Sequence, residues 1–153
     1  MSLSSFNNYV FRKAIFASIL LLSSSAIAQN LVIDKTSDLI TKHGVSISSK
    51  LQNCENAKNG TSKEYILLTV FNENPYPVQL SFKRNLWFDG KCNSCNSEST
   101  EHTVSVTIEA NKKVEGSCDE SSGLRIFSRM LNLEKVAKLT NYELVNIEVD
   151  EVK

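Results

Sequence analysis

Thr103 to Ala110, TVSVTIEA, constrains the fold more than any other stretch. Val104, Val106, Ile108 and Ala110 fall on one side and Ser105, Thr107 and Glu109 on the other. Strict alternation of apolar and polar residues is the signature of a half-buried β-strand, because successive side chains point to opposite faces. The same period recurs along the chain. Val45, Ile47 and Leu51 alternate with Ser46, Ser48 and Lys50. In PVQLSFKRNLWF, Val78, Leu80, Phe82, Leu86 and Phe88 share one parity, broken only by Arg84. Near the C-terminus Val145, Ile147 and Val149 are expected inward and Asn146, Glu148 and Asp150 outward.

Two further segments read as strands. EYILLTVF, Glu64 to Phe71, is apolar on both faces and rich in β-formers, as a central, covered strand requires. GLRIFSRML, Gly123 to Leu131, is the other. Turn signals separate these runs: Asn59-Gly60, the two-proline stretch Asn72 to Pro77, Asp89-Gly90, Gly116 and Ser121 to Gly123. Only Asn132 to Leu139, NLEKVAKL, offers a helical turn, and its cap is poor. Six or seven short strands in about 110 residues predict an all-β fold, a single antiparallel β-sandwich of immunoglobulin-like type.

The N-terminus sets the compartment. Arg12 and Lys13 precede the apolar run Ala14 to Leu22, and small residues stand at Ala26 and Ala28. This is the layout of a cleaved secretory signal peptide over residues 1–28. The apolar run is shorter than the roughly 20 residues a spanning helix needs. No cysteine follows it before Cys54, so a lipoprotein-type attachment site is not expected. The expected organisation is signal peptide 1–28, lead-in 29–44 and sandwich domain 45–153. The mature protein is expected to be secreted or periplasmic, without a membrane span.

Removing residues 1–28 takes away Arg12 and Lys13 and no acidic residue, which leaves fifteen basic against seventeen acidic side chains. A net charge of about −2 does not suggest nucleic acid as a partner.

All four cysteines, Cys54, Cys92, Cys95 and Cys118, lie in the exported part. An even count in an oxidising compartment favours two disulfides, and four cysteines allow three pairings. Cys92–Cys95 with Cys54–Cys118 is favoured, since the C-x-x-C loop already holds its own two cysteines close. Closing about 65 residues should stabilise by about 4 kcal/mol, against about 2 for the four-residue loop.

A zinc site would have to recruit Cys92, Cys95, His102 and Cys118 without a second C-x-x-C, so no metal or cofactor is expected. A thioredoxin-like centre needs its C-x-x-C at a helix start, and this one sits in a polar loop between strands. There is no G-x-S-x-G elbow and no H-E-x-x-H, and the five glycines are not clustered. His43 and His102 read as surface residues, and Asp119-Glu120 and Asp150-Glu151 as solvated charges. No enzyme activity is expected.

Trp87 shares parity with polar Gln79, Ser81, Lys83 and Asn85, so it could stack on a sugar or anchor a protein. A bulge near Lys83 to Asn85 would instead turn it inward. Asn59-Gly60-Thr61 is a glycosylation acceptor only in a eukaryotic source, and the signal peptide looks bacterial.

The run from NLWFDGKCNSC through VSVTIEANKKVEGSC to LRIFSRMLN resembles small exported proteins of Bacteroidetes-type bacteria. The resemblance covers most of residues 45–150. It implies an immunoglobulin-like sandwich in an exported protein and carries over no functional residue. The function expected is a non-enzymatic binding or interaction module for an unknown protein or glycan partner, with loops Asn72 to Pro77 and Lys91 to Glu101 carrying specificity. The alternatives are metal or thiol chemistry at Cys92 and Cys95, and carbohydrate binding through Trp87.

Overall fold

The computed structural model describes residues 36–119 and 122–153. The expected signal peptide lies outside the described residues, as do Glu120 and Ser121. Among the described residues nine strands follow in order: β1 Thr36–Lys42, β2 Val45–Asn56, β3 Thr61–Asn72, β4 Val78–Phe88, β5 Lys91–Cys92, β6 Thr103–Ile108, β7 Lys113–Glu115, β8 Arg125–Met130 and β9 Leu139–Glu151. They form two antiparallel sheets, so the fold is an all-β sandwich as the alternation predicts. One sheet runs β1-β2-β3 with β7 and β8 sharing the far side of β3. The other has β4 at its centre, with β5 and β6 on one side and β9 on the other.

Residues 36–42, within the lead-in, form β1 and pair along β2. The turn between them is His43-Gly44, with φ +47° and +71°. Two positive φ values in a two-residue hairpin suit the right-handed strand twist. Asp89-Gly90 does the same between β4 and β5. The candidate helical stretch is bent, irregular chain rather than helix, and its last residue, Leu139, opens β9.

The core lies between the sheets. Val45 and Ile47, Ile66, Leu68 and Val70, Val78, Leu80 and Phe82, with Val104, Ile108, Leu124 and Ile126, are all buried. Polar links fix the sheets across it. Tyr142 on β9 donates its hydroxyl to Ser49 Oγ on β2 at 2.9 Å. Arg84 has the parity of the core residues of β4. Its guanidinium donates to the carbonyls of Gly123 and Arg125, each at 3.2 Å, and of Glu101 at 3.1 Å. Burial pulls the Arg84 guanidinium below its ordinary pKa, partly opposed by the Glu101 carboxylate.

β9 departs from the expected pattern. Tyr142 and Leu144 pack on the core, and so do Ile147 and Val149, whereas Val145 does not. The β4–β9 register shifts between Ser81 and Lys83, opposite Asn146, which has φ +53°. This β-bulge adds one residue and puts Tyr142 and Leu144 on the core face instead of Val145, until a second shift between Trp87 and Phe88 returns Leu139 to the core.

β7 and β8 are two parts of one edge. Leu68 N donates to Leu124 O and Gly116 N to Leu68 O, each at 2.8 Å. After Gly116 the chain leaves the sheet. Cys118 there bonds to Cys54 on β2, which lies on the far side of β3. The excursion therefore crosses the outer face of β3. Leu67 shares that face with Tyr65, yet is only 4 % exposed.

Candidate functional site

The four cysteines form two bonds, Cys54–Cys118 and Cys92–Cys95, and no described cysteine is free. They stand on different sheets, so Cys92, Cys95, His102 and Cys118 are not assembled into a ligand set. Among the described residues no group of three or more His, Cys, Asp or Glu is placed to hold a metal ion.

The C-x-x-C loop is tied down to β4. Fully buried Ser94 donates its hydroxyl to Arg84 O at 2.9 Å and accepts from Leu86 N at 2.8 Å. Lys83 Nζ donates to Ser97 O at 2.8 Å and to Cys95 O at 3.4 Å. Cys95 N donates to Cys92 Sγ at 3.1 Å. Trp87 is half-buried, and its backbone pairs with Cys92 on one side and Asn141 on the other. Leu86 and Phe88 still pack on the core, so no bulge turns Trp87 inward, and it keeps the outer face.

The loop Asn72 to Pro77 is fixed by a different device. Asn72 is fully buried, and its Nδ2 donates to the carbonyls of Tyr76 at 2.9 Å and of Ile108 and Glu109 at 3.2 Å. Its Oδ1 accepts from the backbone and side-chain nitrogens of Asn74 at 3.0 Å. Asn74 in turn donates to His43 O at 2.9 Å. Three turns at this end are thereby held together, with Tyr76 exposed on the middle one. Gly44 belongs to this lock, since a Cβ there would stand 2.6 Å from Asn74 Oδ1.

A polar cleft of about 320 Å³ opens beside the Cys54–Cys118 bond, lined by Lys63, Tyr65, Asp119 and Arg125 among others. Arg125 stacks on the Tyr65 ring, 5.1 Å from its centroid, and donates to Cys118 O. Its charge serves the crossing segment.

The feature that residue patterns missed is an edge. β9 is the longest strand, at thirteen residues. Among the described residues it pairs with β4 alone. β1 is the outermost strand of the other sheet on the same flank, and Lys42 Nζ reaches from it to Ile147 O. Half-buried Leu39 on β1 and Ile147 and Val149 on β9 pack against the core. Glu143, Glu148, Asp150 and Glu151 are exposed along β9. The sequence signal was a long final strand with acidic outward positions, but strand order is not readable from one chain's pattern.

No family model, no curated protein and no solved structure matches this chain.

Proposed function

We propose that this protein is an exported, non-enzymatic interaction module that binds a polypeptide along the free side of β9. The observation that carries this reading is that, among the described residues, a thirteen-residue strand pairs on one side only. An exposed edge offers a row of backbone donors and acceptors to another chain, and strand addition is a common mode of peptide recognition. Export is supported by the layout of residues 1–28 and by the two disulfides. Among the described residues no helix is long and apolar enough to cross a membrane.

Strand order supports the immunoglobulin-like reading. β2, β3 and the β7–β8 edge correspond to strands A, B and E of that plan, β4 and β9 to C and F, and β6 to the additional strand beside C. The last strand, G, would lie beside β9.

A photo-crosslinking side chain at Glu148, on β9, and another at exposed Ser105, on β6, test the reading in the native host. A discrete adduct from position 148 and none from 105 is expected. No adduct from position 148, or the same adduct from both, overturns it.

A thiol-exchange role for Cys92–Cys95 is the second reading. The Cys95 amide at 3.1 Å from Cys92 Sγ would stabilise a thiolate formed there on reduction. Mass analysis after equilibration in glutathione buffers tests it. Resistance of this bond across the whole buffer range removes the reading.

A further inference from the structure

The geometry points to a specific occupant for the β9 edge: an extended, basic polypeptide strand of another protein. This inference rests on the interaction reading above and names the partner's chemistry.

The backbone of β9 is directed for it. Val152 N donates to Pro77 O at 3.0 Å, and the register then runs unbroken from Val78↔Glu151 to Ser81↔Glu148. In an antiparallel ladder, bonded and non-bonded pairs alternate. Asp150 and Glu148 therefore aim their backbone groups at β4, while Glu151, Val149 and Ile147 aim theirs away from it. Ile147 O confirms the direction, since it meets Lys42 Nζ from the β1 side.

The charges select the occupant. Glu143, Glu148, Asp150 and Glu151 stand exposed along the strand. Side chains facing each other across paired strands interact directly, and like charges there are unfavourable. A second copy of β9 would bring carboxylates against carboxylates. An acidic strand would do the same. A strand alternating apolar residues with Lys or Arg meets Glu148 and Asp150 with opposite charge on one face, while its apolar side chains fall on the face of half-buried Ile147 and Val149. Lys42 is the only basic group of the described structure that reaches this edge by a side-chain hydrogen bond to β9. It closes one acceptor and repels a second cation at that point, so the occupant's charges belong beside Glu148 and Asp150.

The test uses the mature chain from Gln29 with both disulfides formed. Two ten-residue peptides, one alternating Val with Lys and one alternating Val with Glu, are titrated while amide signals and hydrogen exchange are followed. The expected result is saturable binding of the Lys peptide, slowed exchange at Val149 and Glu151, and at least tenfold weaker binding of the Glu peptide. Glu148→Lys with Asp150→Lys should reverse the preference while leaving the thermal midpoint of these exposed positions nearly unchanged. Equal binding of both peptides, or no protection at Val149 and Glu151, overturns the inference. Three other results also overturn it. One is protection that rises with protein concentration alone, which identifies a second copy. Another is protection in the peptide-free chain that disappears on deleting residues 29–35, which identifies the chain's own segment. The last is a crosslinked partner at Glu148 that competes with neither peptide, which leaves the interaction reading standing and removes the basic strand.

Discussion

Asn72 donates its side-chain amide to Tyr76 O at 2.9 Å, from a position with no solvent exposure. The same amide serves Ile108 O and Glu109 O, so one residue joins the end of β3, the following loop and the end of β6. Asn72→Asp keeps the shape but loses the donors and brings a carboxylate against three carbonyls. Asn72→Ala leaves the carbonyls and the Asn74 amides without their partner. A buried group that loses its hydrogen bond costs about 1–3 kcal/mol, so each variant should lose about 3 kcal/mol or more. Urea unfolding measures it. A loss no larger than that of an exposed substitution such as Thr107→Ala would show that the lock contributes little.

The two disulfides should separate by size. Replacing Cys54 and Cys118 together by Ala opens a loop of 64 residues' separation and releases the segment crossing β3. Replacing Cys92 and Cys95 opens one of 3. The first pair should lower stability by about 4 kcal/mol and the second by about 2 or less. Denaturant midpoints compared at matched slopes decide the order, and equal losses contradict it.

Arg84 is a clamp whose geometry a lysine cannot copy. Its planar fork reaches Gly123 O and Arg125 O through one nitrogen and Glu101 O through the other. An ammonium is a point charge with a shorter reach. Arg84→Lys should keep the fold, cost about 1–2 kcal/mol by the worth of hydrogen bonds to a charged group, and speed amide exchange at Leu68, whose N–H bonds to Leu124 O. Unchanged exchange there would mean that β8 is held without Arg84.

The bulge in β9 depends on a backbone that few side chains accept. Asn146 stands at φ +53°. Asn146→Gly should be neutral within about 0.5 kcal/mol, whereas Asn146→Val should cost about 1–2 kcal/mol, since β-branched residues are strained there. Thermal unfolding compares them. A tolerated valine would mean that the strand can straighten.

Much of the fold was legible because it rests on period two. Strands β2, β3, β4, β6, β8 and β9 all follow from alternation or apolar runs, and the turns follow from Asn-Gly and Asp-Gly. Three elements were not. β1, TSDLITK, carries little apolar patterning, and β5 and β7 are two and three residues long, too short for any period. The inward set of β9 was shifted because the bulge at Asn146 is a one-residue event that leaves no mark on composition. Arg84 looked like an interruption of a core face. It occupies that face, with its charge answered by the carbonyls of Gly123 and Arg125 at the start of β8 and of Glu101 just before β6. The β9 edge was illegible for a different reason: an unpaired side is a property of strand order, and alternation says which face a residue takes but not which neighbour it meets.

The short bridge gains meaning from the order in which the chain is made. Synthesis runs from the N-terminus, so Cys54 is followed by Cys92 and Cys95 before its own partner, Cys118, exists. Cys54 is therefore exposed first to two wrong thiols. Cys92 and Cys95 are neighbours in a four-residue loop, so bringing them together costs less chain entropy than bringing either to Cys54. Early closure of the C-x-x-C pair would withdraw two competitors and leave the one remaining thiol for Cys118 and the strap that crosses β3.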